Sequence, residues 1–166
     1  IYDIAIDLRT LFCVSTNQHE PELESTMIEK MINDGWIESE NVFGKCLVLP
    51  KEKREAIILA LAHSIINWRI TSNQARTFSP METLAVTISQ NANKIAAAIR
   101  AKLDEDSDQP KAKPVLDEVA GADLYVALAA GGYIQTHLES ADALEQAEQK
   151  LVDLIRAFDF ENQINK

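Results

Sequence analysis

The chain has 166 residues, 46% of them hydrophobic and 25% charged, which gives one globular domain a core and excludes a disordered polymer. Its net charge of −10 opposes strong autonomous binding to DNA or RNA. No basic-then-apolar leader and no run of about 18 apolar residues is present, so the sequence given reads as neither a signal peptide nor a membrane span.

The average charge conceals a partition. Residues 1–44 carry 9 acids and 2 bases, residues 45–103 carry 3 acids and 9 bases, and residues 104–166 carry 14 acids and 5 bases. A basic centre lies between two acidic arms. Cys13 and Cys46 lack a CxxC motif or a Cys/His cluster and read as free thiols of a reducing cytoplasm. The chain opens at Ile1 without Met, which reads as part of a longer protein or an unusual translation product.

"YDIAIDLRTLF" spaces Ile1, Ile4, Ala5, Leu8, Leu11 and Phe12 helically and predicts a first helix over roughly residues 2–15. Pro21 suits the first position of a second helix, whose stripe is Leu23, Met27, Ile28 and Met31 and whose left-handed cap is Gly35. "WIESENVFGKCLVLP" is the one β-like passage, with a strand or small hairpin around Phe43 and Gly44. Helices followed by such a ribbon evoke a winged helix, but the would-be reading helix carries Glu22, Glu24 and Glu29 against Lys30 and would repel phosphates.

From Lys51 to about Ile70 a helix is predicted, apolar almost all round between Ala56 and Ile66, as suits the middle of a bundle. "TSNQARTF" reads as a loop, and "SPME" as a capping box with Ser79 as N-cap and Glu82 reaching back. Met81, Leu84, Ala85, Ile88, Ala92, Ile95, Ala96, Ile99 and Leu103 then predict a long amphipathic helix. "DEDSDQPKAKP" predicts an acidic loop at about 104–114, followed by helices over roughly 115–137, with Gly131 and Gly132 inside, and 140–158. Ser140 would cap the last, whose seam is Leu144, Ala147, Leu151, Leu154 and Phe158. The expected architecture is an all-α single domain, a compact bundle of about five to six helices with room for a short β-ribbon near residues 43–49.

Motifs for catalysis, metal or cofactor are missing. His63 reads as a core or interhelical hydrogen-bonding residue, His19 lacks a helical His partner, and the calcium-loop spacing of Asp104, Asp106 and Asp108 fails at Gln109 and Val115. The expectation is a protein without enzyme activity, cofactor or metal. What remains is the basic centre, where Glu82 is the one acid between Ala56 and Leu103. Lys51, Lys53, Arg54, Arg69, Arg76, Lys94, Arg100 and Lys102 are the candidate phosphate contacts, interleaved with amides such as Asn67, Gln74 and Asn91. The plain alternative is an ordinary polar surface for which the acidic arms supply counter-charge.

Chain length, the expected bundle, the missing Met, the "YDIAIDLRTLF" opening and the basic centre "PKEKREAIILALAHSIINWRITSNQAR" together resemble the all-helical small subunits of CRISPR effector complexes, particularly those of type I-D Cascade. The resemblance implies a non-catalytic, cytoplasmic subunit, present in several copies beside other protein subunits, that holds guide RNA with target DNA or RNA. Two alternatives stand beside it. One is a helical protein-binding adaptor that docks a partner through Leu144, Leu151, Leu154 and Phe158; the other is a winged-helix DNA-binding regulator.

Overall fold

A computed structural model describes residues 1, 3–17, 19, 22–68, 82–105, 111–134 and 136–164, with backbone alone at 104, 111 and 112. The fold is mixed α/β, with four α-helices and eight strands in three sheets among the described residues, and this overturns the expected all-α bundle. The chain divides into two compact units, one of residues 2–61 with 152–166, the other of residues 62–151 with Ile1.

In the first unit the predicted opening helix does not form. Asp7 starts a single turn, its carboxylate accepting from the Arg9 N–H at 3.0 Å and its carbonyl from Thr10 and Leu11, and the turn ends where Phe12 adopts a left-handed φ of 68°. The chain then extends into β1 (Cys13–Ser15). Helix α1 (Ser25–Asn33) follows and ends as predicted at Gly35, with φ +90°. The Gly35 N–H donates to Ile32 and the Trp36 N–H to Met31, the paired bonds of a Schellman cap.

The β-like passage is a full hairpin of β2 (Ile37–Asn41) and β3 (Gly44–Val48), and β1 joins its second strand to give the order β1-β3-β2. Asn41, 6% exposed, holds the turn: its Oδ1 accepts the Phe43 N–H at 2.9 Å and its Nδ2 donates to the Arg9 carbonyl. Gly44 closes the turn at φ +114°, where a side chain is strained. Gly44→Ala is expected to cost about 1–2 kcal/mol, read as a lower denaturant midpoint at unchanged slope.

Cys46, Leu47 and Val48 are buried at 3% exposure or less, and the C-terminal segment brings Phe160 edge-on to Phe12 and Phe158, with centroids 5.3 and 5.0 Å apart. Both thiols are free, and Gln163 Nε2 donates to Cys13 Sγ at 3.7 Å. Burial pushes the Cys46 thiol up to about 11 and raises Cys13 as well. A thiol whose proton is held more tightly in the folded state stabilises below its unfolded value and loses that contribution as pH rises. Stability should therefore fall between pH 9.0 and about 11, and a Cys46→Ala variant should show a flatter decline in pH-dependent denaturation.

Helix α2 (Lys51–Ile66) begins where predicted and is shorter. Its buried stripe is Arg54, Ile58, Ala62 and Ile66, whereas Ile57 and Leu59 are 44% and 46% exposed, so apolar character all round did not bury it all round.

In the second unit the long helix predicted from Met81 is broken into β4 (Ala85–Ile88), α3 (Ala92–Ala98) and β5 (Ile99–Asp104). Asn91 makes the first break, accepting the Asn93 N–H as an N-cap, and Ile99 ends α3 in extended backbone. Residues 104–114, expected as a loop, instead include the end of β5 and most of β6 (Lys111–Leu116).

The helix expected over 115–137 is replaced by β7 (Asp123–Ala127), a 3-10 turn (Leu128–Gly132) and, beyond it, β8 (Glu139–Ser140). β7 takes β4 antiparallel on one side and β8 parallel on the other. A Cβ on Gly131 would meet the Glu139 carboxylate at 3.1 Å, so this glycine serves a close approach in a turn rather than between helices. The core here is Val126, Ala130 and Ile134, packed by Leu84, Ala85, Leu116 and Leu124.

Helix α4 (Ala143–Arg156) lies inside its predicted span. Ala143, Ala147, Val152 and Ile155 are its buried positions, and the adaptor seam of Leu144, Leu151, Leu154 and Phe158 is half-buried. His63 is a surface residue whose ring lies 3.1 Å from Glu148 and 3.2 Å from Asn67. The "TSNQARTF" loop and the Ser79 cap lie outside the described residues.

Candidate nucleic-acid interface

β5 and β6 pair antiparallel over their full six-residue lengths as a two-stranded ribbon. Their register sets Arg100 opposite Val115, Lys102 opposite Lys113 and Asp104 opposite Lys111, alternating with Ile99–Leu116, Ala101–Pro114 and Leu103–Ala112. Directly opposed residues of an antiparallel pair share a face and successive residues alternate. Arg100, Lys102 and Lys113 therefore stand on one face, all exposed, and the other face carries Ile99, Ala101, Leu103, Pro114 and Leu116.

The base of the ribbon is anchored. Leu116 packs on the core of this unit, and the Asp117 N–H donates to the Ala98 carbonyl at 2.8 Å. Arg100 Nη2 lies 3.3 Å from Asp117 Oδ2 with about half of its side chain still exposed, and the Val119 N–H donates to the other carboxylate oxygen. Lys94 of α3 is exposed and lays its ammonium over Gly121, so it borders the same turn as Arg100.

No family model, curated protein or solved structure significantly matches this chain.

The eight cations predicted from sequence divide into three groups. Lys94, Arg100 and Lys102 belong to the ribbon unit; Lys51, Lys53 and Arg54 open α2 in the other unit; Arg69 and Arg76 lie outside the described residues. Lys51 and Lys53 are exposed. Arg54 is turned inward, its side chain 8% exposed, donating to the Leu49 carbonyl at 2.7 Å and to Glu161 Oε1 at 2.7 Å while stacking over the Phe160 ring. This cation fixes the C-terminal segment.

Lys113 was not among the predicted contacts because "DEDSDQPKAKP" reads as a linker. The available signal was alternation: a cation at every second position in "RAK" and again in "KAK", the period of a strand. Among the described residues no group of three or more His, Cys, Asp or Glu is placed to hold a metal ion, and no helix is long and apolar enough to cross a membrane.

Proposed function

We propose that this chain is a non-catalytic subunit that contacts nucleic acid phosphates through the cationic face of the β5–β6 ribbon, inside an assembly of other protein subunits. The observation that carries the proposal is the shared face of Arg100, Lys102 and Lys113. Lys102 and Lys113 stand directly opposite one another, an arrangement that costs stability until an anion lies between them. Residues 99–116 contain no Phe, Tyr or Trp, so the ribbon has no platform for stacking bases, and its contacts go to the backbone without sequence preference.

With a net charge of −10 the free chain has little long-range attraction for a polyanion, which is why partner subunits belong to the proposal. Its specific form is a cytoplasmic CRISPR small subunit that lines a guide RNA–target duplex in several copies. The sequences of the opening segment and of the basic centre are what support that form, whereas the mixed α/β fold departs from the all-helical bundle of that family.

Co-purification of the native chain with its partners is the test. Nucleic acid should accompany the assembly and be depleted when Arg100, Lys102 and Lys113 are replaced by alanine. Retention by the triple variant would count against the ribbon.

The winged-helix regulator remains a second reading because a helix, a hairpin and a third strand do occur together at β1-α1-β2-β3. Charge weighs against it, since α1 carries Glu29 beside Lys30 and follows Glu24. A mobility shift of duplex DNA by the free chain at physiological salt would favour it.

A further inference from the structure

We infer that this chain associates with further copies of itself by strand addition, the β2 edge of one copy receiving the β5 edge of another. β2 is the last strand in its sheet and β5 has β6 as its neighbour, so each presents an edge with no strand beside it among the described residues. The two edges carry opposite charge. Along β2, Glu38 and Glu40 are exposed and alternate with half-buried Ile37 and Ser39; along β5, exposed Arg100 and Lys102 alternate with Ile99, Ala101 and Leu103.

A single antiparallel register satisfies both edges. It sets Glu38 opposite Lys102 and Glu40 opposite Arg100 of the second copy, all on one face, with Ile37 opposite Leu103 and Ser39 opposite Ala101 on the reverse. Leu103, 52% exposed in the isolated chain, gains an apolar neighbour. Arg100 exchanges its exposed pair with Asp117 for one with Glu40.

Charges on edge strands commonly guard against strand addition. Here the same charges repel β2 from β2 and β5 from β5 while admitting the unlike pair, so they select one partner edge. Because two different patches meet, the contact is heterologous and adds copies until a ring closes. The inference goes beyond the nucleic-acid reading yet shares Arg100 and Lys102 with it, so a polyanion and a second copy compete for the ribbon.

Sedimentation velocity of the full chain over a concentration series tests it. At low salt the weight-average sedimentation coefficient should rise with concentration, and about 1 M salt should return it to the monomer value. Glu38→Lys with Glu40→Lys should weaken association about tenfold or more, and adding Arg100→Glu with Lys102→Glu should restore it, which folding damage could not do. A chain that stays monomeric at low salt, association unchanged by the Glu38/Glu40 pair, or no rescue by the fourfold exchange would each overturn the inference. The Glu38/Glu40 variant keeps every ribbon cation, so its retention of nucleic acid reports on phosphate contact separately.

Discussion

Replacing Arg54 by alanine should lower the unfolding free energy by about 2–4 kcal/mol, the largest single effect expected from any of the predicted phosphate contacts. The guanidinium is nearly enclosed, and its loss leaves the Leu49 carbonyl without its donor and the Phe160 ring without its cover. Glu161, 38% exposed, recovers water when its partner goes, which keeps the cost below that of a fully buried broken pair. Glu161→Gln should therefore be milder. Arg54→Lys should be intermediate, because an ammonium cannot donate to two acceptors in the planar fork and stack at once. Urea denaturation followed by circular dichroism reads all three. The salt dependence of nucleic-acid binding by the folded fraction should not change in any of them, because a cation spent on the interior cannot also meet a phosphate. A changed slope would return Arg54 to the interface.

The ribbon variants should behave in the opposite way. Arg100, Lys102 and Lys113 are exposed, so triple alanine replacement should leave the denaturation midpoint nearly unchanged, and relief of the Lys102–Lys113 repulsion should offset what is lost with the Arg100–Asp117 pair. Binding is where the effect lies. Each phosphate neutralised contributes about 0.9 to the slope of log affinity against log salt for duplex DNA and about 0.7 for a single strand, so three lost contacts should flatten the slope by about 2–3. Titrating the assembled complex with labelled nucleic acid at several salt concentrations gives that slope directly. Alanine at Lys51 and Lys53 provides the comparison: an equal flattening there would spread the interface to α2, whereas no flattening in either variant would remove the ribbon from the interface.

Legibility differed along the chain for physical reasons. The Gly35 cap, the start of α2, the hairpin near Phe43 and helix α4 were readable because each is specified by neighbours in sequence: a left-handed glycine, a proline before a helix, a tight turn, a four-residue apolar spacing. The stretch from Met81 to Leu103 misled because Leu84, Ile88, Ala92, Ile95 and Ile99 satisfy helical spacing while Val86, Thr87 and Ile88 suit a strand equally well. Pairing with Asp123–Ala127, far along the chain, decided it. The opening segment failed differently. Its apolar spacing was helical, but the turn that Asp7 starts ends at left-handed Phe12, and Cys13–Ser15 pair with β3 more than thirty residues away.

For the candidate site, charge was legible and placement was not. Sequence identified a cation-rich centre, and it could not distinguish Arg54, which bonds Glu161 at a separation of 107 residues, from Arg100, which faces solvent. Alternation in "RAK" and "KAK" could have marked Lys113 as a strand cation, but its place beside Lys102 comes from backbone pairing across the intervening acidic run.

By itself the sequence determined which segments carry charge of each sign and, at Gly35 and the Phe43–Gly44 hairpin, where the chain turns, because charge and local backbone preference belong to residues and their near neighbours. Tertiary structure alone decided which apolar segments became strands and which cations share a surface, because both depend on partners far away in the chain whose pairing no local pattern encodes.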